Sequence, residues 1–138
     1  MTVPTVVLPA DPREIMLNLL QPLLPAILPG WRCGWRQDHG FIDKIPPGKF
    51  IALDVLSDTQ LSHVHDQFVL VAQVWGDNGI TDDRMRTRAA RIVSAHIARA
   101  LPARRDSFVP SLPDPFDQTG TRYITQVTMT ALLKGEDQ

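Results

Sequence analysis

From Thr121 to Leu133 the chain alternates by residue type. Tyr123, Val127, Met129, Ala131 and Leu133 fall on one side of an extended backbone, and Arg122, Gln126, Thr128 and Thr130 fall on the other. A long final strand with one buried face is expected there. Trp31 to Gln37 repeats the two-residue period, with Trp31, Cys33 and Trp35 set against Arg32, Gly34 and Arg36. Lys49 to Leu56 does the same, with Phe50, Ala52 and Asp54 opposite Ile51, Leu53 and Val55. Gln67 to Trp75 is dense in β-branched and aromatic residues, with Gln67 and Gln73 its only polar members, which predicts a central strand. Phe108 to Leu112 reads as a further short strand.

Two stretches carry the helical period instead. Asp11 followed by Pro12 reads as an N-cap and a first-turn proline, and Ile15, Met16, Leu19, Leu20 and Leu23 recur at helical spacing. Pro22 and Pro25 each remove an internal hydrogen bond, so this helix is expected from about Pro12 to Leu24. Thr81 is a good N-cap for a second helix that runs to Leu101, where Pro102 stops it. On it Met85, Ala89, Ile92, Val93, His96 and Ala100 define the face expected to dock on a sheet. Arg84, Arg88, Arg91 and Arg99 form a solvent-side stripe, and Ala90, Ser94 and Ala98 form a strip of small residues that permits close approach.

The expected fold is therefore α+β: a mostly antiparallel or mixed sheet of four to five strands with two helices packed on it, in the order helix, three strands, helix, two strands. Short connections favour antiparallel neighbours. Gln37 to Gly48 and Gly76 to Gly79 read as loop and turn. The whole of residues 1–138 is read as one domain, with 1–11 an extended arm and 135–138 a solvated, frayed tail.

At 138 residues a single core suffices, and the one cysteine, Cys33, excludes an internal disulfide and fits a reducing compartment. The apolar opening lacks a basic leader and nowhere is there an apolar run long enough to span a membrane, so the chain is expected in the cytoplasm of the cell that makes it. A net charge of −1 argues against a general nucleic-acid or membrane-surface binder. Its distribution says more. Seven of fourteen basic residues (Arg84, Arg86, Arg88, Arg91, Arg99, Arg104 and Arg105) lie between positions 84 and 105, where no acid occurs.

Candidate chemistry is sparse. His63, His65 and Asp66 are the nearest approach to a metal cluster, but a third ligand at characteristic spacing is missing and His39 is remote, so a solvated loop is the favoured reading. His96 reads as a core histidine, since no nucleophile pairs with it. The Gly76 to Gly79 run carries an acid and lacks the lysine and hydroxyl of a phosphate-binding loop. Trp31, Trp35 and Trp75 read as core or interface anchors. No catalytic residue, cofactor or metal is expected.

In their order and spacing several segments resemble the tail terminator (minor tail, head-tail joining) proteins of long-tailed bacteriophages, particularly of phages infecting high-GC actinobacteria. The segments are the helix from Pro12, the strands Lys49 to Val55 and Phe68 to Gly76, the helix Asp82 to Leu101, the LeuProAspPro run at Leu112 to Pro115, and Thr121 to Met129. The resemblance implies a non-enzymatic virion protein at the head-proximal end of the tail, assembled in the host cytoplasm. It implies a hexameric ring that caps the tail tube, halts its polymerisation and meets the head connector, with genomic DNA passing through the lumen without sequence-specific binding. The free subunit's state is left open between monomer and oligomer. A closed ring requires one patch to meet a different patch on the neighbour, and the stripe of Arg84, Arg88 and Arg91 against a neighbour's Asp114 and Asp117 is the candidate pair. Alternatives are another head-tail connector or neck adaptor, an arginine-helix nucleic-acid binder, and a small metal enzyme using His63, His65 and Asp66.

Overall fold

The computed structural model describes residues 7–8, 11–35, 49–62, 65–76, 83–113 and 123–137. Asp11 caps the first helix, α1 (Pro12–Leu20). Its Oδ1 accepts from the backbone N–H of Arg13 at 3.0 Å and of Glu14 at 3.4 Å. This satisfies two amides that a helix start otherwise leaves open. The helix ends earlier than the expected Leu24. Pro22 closes it, and after a turn in which Leu23 N donates to Leu20 O at 3.0 Å the chain starts a second short helix, α2 (Leu24–Ile27). Pro25 falls in the first turn of α2, where its missing N–H costs nothing, so the two prolines divide one expected helix into two. Gly30 then turns the chain with φ +85°, a left-handed conformation suited to glycine.

The strands follow as β2 (Arg32–Trp35), β3 (Phe50–Gln60) and β4 (His65–Trp75). The long helix α3 (Asp83–Ala100) leads into β5 (Ala103–Pro113) and β6 (Tyr123–Lys134). Together they form a five-stranded mixed sheet in the order β2-β3-β4-β6-β5. With helices packed on it, the fold is α+β as expected. It has three helices among the described residues rather than two.

β4 lies at the centre, flanked antiparallel by β3 and β6, and β5 runs antiparallel along the outer edge of β6. β2 pairs parallel to β3, Cys33 opposite Ile51, and it is this pair that makes the sheet mixed. Residues 36–49 lie between them, enough chain to return to the starting end, as parallel neighbours require. β5 is about twice its expected length. Register shifts between Arg105 and Ser107 and between Val109 and Leu112 break its alternation and hide it in the sequence, and Pro110 is tolerated because the strand is an edge. Glu136–Asp137 (β7), expected to fray, pairs antiparallel with β1 (Val7–Leu8).

α1 and α3 cover the same sheet face. Met16, Leu20 and Leu24 from the first helices meet Val93 and Ile97 of α3 over Ile51, Leu53, Leu70, Val127, Met129 and Ala131 in one continuous core. Trp31 and Trp35 close its β2 end. The opposite face carries a smaller cluster of Phe50, Ala52, Trp75 and Ile124, so one end of the sheet is buried on both sides. Next to it, Gln73 Nε2 donates to Gln126 Oε1 at 3.2 Å across β4 and β6.

Candidate functional site

The α3 helix sets the site because its two faces differ sharply. Arg86, Ala89, Ala90, Val93, Ser94 and Ile97 are buried, which rotates the docked face by about one residue, roughly 80 to 100°, from the one expected. Ala90 and Ser94 of the small strip are on the buried face, while Met85, Ile92 and His96 are half-buried at the margin and Ala100 is exposed. His96 is therefore a flank residue, not the core histidine expected.

Arg84, Arg88, Arg91 and Arg99 are exposed on the opposite face, as the spacing requires. The two ion pairs among the described residues are Arg86 with Asp83 (3.5 Å) and Arg104 with Asp106 (3.0 Å), so none of these four has an acidic partner there. Arg86 is the exception on the helix. It is fully buried, directed inward from a sequence position where every other arginine of the helix faces out.

Beside the stripe, α3, β5 and Met129 of β6 border an open, solvent-facing groove of about 620 Å³. Arg88, Arg91 and Arg105 supply its charge, and Ile92, Ala95, Ala98 and Met129 its apolar surface. Arg105 belongs to the sheet: it sits opposite Met129 in the β5–β6 register, and its guanidinium lies 5.5 Å from the centre of the Phe108 ring. Sequence reading counted Arg105 among the basic residues but left positions 103–107 out of any strand. The signal available was the apolar pair Ala103 and Phe108 flanking it, obscured by the register shift between.

The candidate interface thus splits. Arg84, Arg88 and Arg91 share one outward face, Arg88 and Arg91 also line the groove, and Asp114 and Asp117 lie outside the described residues.

On the far side of β5, the Thr130 hydroxyl donates to Asp106 Oδ2 and Arg104 Nε donates to Oδ1 at 3.0 Å. The Thr130 hydrogen bond first, and Arg104 after it, hold the Asp106 carboxyl below its ordinary value of 3.8. Cys33 is half-buried, and burial pushes its thiol up to about 11, far from a reactive thiolate at neutral pH. His65 serves a turn: its backbone N–H donates to Ser62 Oγ at 3.1 Å, and its Nδ1 lies 3.2 Å from the same oxygen. His63 and His39 lie outside the described residues. Among the described residues no three His, Cys, Asp or Glu side chains gather closely enough to hold a metal ion. No helix among them is long and apolar enough to cross a membrane.

No family model matches the chain, and no curated protein matches its sequence.

Proposed function

We propose that this chain is a structural virion protein, a tail terminator whose copies close into a ring that caps the tail tube, stops its growth and presents a surface to the head connector. The observation that carries the reading is the outward face of α3. Four exposed arginines without an acidic partner among the described residues stand on a chain of net charge −1, and exposed acids such as Asp11, Glu14 and Asp58 stand on other elements. A molecule with one cationic patch and acidic residues elsewhere is suited to head-to-tail contacts between copies, the kind that close into rings. Of the segments on which the resemblance rests, the helix at Pro12, the strands β3 and β4, the helix α3 and the strand β6 fall on described elements, while Asp114 and Pro115 lie outside the described residues.

Light scattering over a concentration series, with electron microscopy of the same samples, tests this. Rings of sixfold symmetry are expected, together with arrested elongation when the protein is added to polymerising tail tube subunits. A chain that stays monomeric throughout and leaves tube length unchanged refutes the reading. Retention on DNA near physiological salt would favour the nucleic-acid alternative instead.

A further inference from the structure

The groove between α3 and β5 has the size of a binding site and a two-part lining, with Arg88, Arg91 and Arg105 around an apolar floor of Ile92, Ala95 and Met129. Such a lining matches a short segment with carboxylates on either side of an apolar anchor, because guanidinium forks pair with carboxylates while the floor buries the anchor. Two segments of this sequence bracket an aromatic ring with acids, Asp38 to Asp43 around Phe41 and Asp114 to Asp117 around Phe116; only the second carries a proline, which limits the conformations to be lost on docking, and it lacks the glycine of the first.

We propose that the groove receives the Asp114 to Asp117 segment of a second copy of this chain, with Phe116 on the floor and the two carboxylates against the arginines. The inference rests on the ring reading and narrows its interface. Arg88, Arg91 and Arg105 carry the contact, whereas Arg84 and Arg99 lie outside the groove. The backbone of the chain's own segment stops short of the Arg105 end of its groove. Because of its register shifts, the stretch from Arg105 to Pro113 spans only the six residues from Met129 to Tyr123 on β6, about 20 Å at the usual strand rise, and four residues beyond Pro113 reach back at most about 14 Å. The Arg105 end is therefore left to a neighbour. The contact joins two different patches, so it propagates from copy to copy.

The test is titration of a fluorescent peptide spanning residues 111–119 into the full chain, at concentrations where the protein is dispersed. Saturable binding is expected, weakened at least tenfold by Arg91→Glu with Arg105→Glu in the protein, by Phe116→Ala in the peptide, and by raised salt. Arg91→Gln with Arg105→Gln provides a milder variant with the same expectation. Absent binding, or equal binding to variants whose circular dichroism is unchanged, overturns the proposal. Mixing an Arg91→Glu/Arg105→Glu chain with an Asp114→Arg/Asp117→Arg chain should restore association that each lacks alone. Normal rings from the first variant by itself would remove the groove contact and leave the ring reading standing. A wild-type chain that binds the peptide but never closes into rings or stops tube growth would remove the ring reading and leave the groove.

Discussion

Asp106 stays ionised because Thr130 and Arg104 both donate to it. A carboxylate whose folded pKa is depressed stabilises the fold at pH above its unfolded value, and that contribution is lost as pH falls through the folded one. Replacing Thr130 with valine should move the Asp106 titration up toward 3.8 in an NMR pH series, and acid unfolding of the variant should begin at higher pH. Cys33 works at the other end of the scale. Its raised pKa means the unfolded thiol ionises first, so its contribution is constant below about 9 and stability declines as pH rises from there toward about 11. Alkylation of native protein at pH 8 should therefore run well below the rate for the unfolded chain, and equal rates would contradict the burial. Gly30 offers a cleaner case: nothing lies within 4 Å of an added Cβ, so alanine there should cost about 1 to 2 kcal/mol of backbone strain alone. Residue chemistry was unevenly legible. The Asp11 cap could be read because capping is local in sequence. The inward Arg86 could not, since its burial follows from the way α3 is rotated in the fold, which no local pattern encodes.

At the level of elements, α3 divides energetics from recognition. Ile97 is buried in the core, so Ile97→Ala should cost about 2 to 5 kcal/mol in chemical denaturation, while Arg99→Ala on the outer face should stay within about 0.5 kcal/mol. β5 depends on one particular pin. Thr125 is fully buried in β6, and its hydroxyl donates to the Pro110 carbonyl at 2.8 Å, between the residues where the β5 register slips. Thr125→Val leaves that carbonyl without its donor and should cost about 1 to 3 kcal/mol, with faster amide exchange concentrated at the end of β5 near Val109. β6 and the first half of β3, before the register shift between Val55 and Ser57, were legible down to which face the named side chains take, and β4 was legible as a central strand from its density of β-branched residues. β5 was legible in part only, because two register shifts and a proline erase the period, and the rotation of α3 was missed because alanine scores as apolar wherever it points. The groove suffered from both effects, being formed where the misread strand meets the misoriented helix face.

For the whole molecule, the decisive property is uneven charge on a nearly neutral chain. The proposed contacts between the arginine face and acids on another copy would weaken as ions screen them, so on that proposal self-association should fall steeply from about 50 mM to 500 mM salt in sedimentation experiments. An association unaffected by salt would point to an apolar contact instead. The sheet order has a separate consequence. β4 occupies the middle of the sheet, yet one of its two partners, β6, is built by the ribosome after every other strand of that sheet. Until those last residues emerge, the apolar central strand of the nascent polypeptide has one flank uncovered, which makes this a protein that completes its fold after translation has passed Lys134 and leaves prematurely terminated products sticky and short-lived.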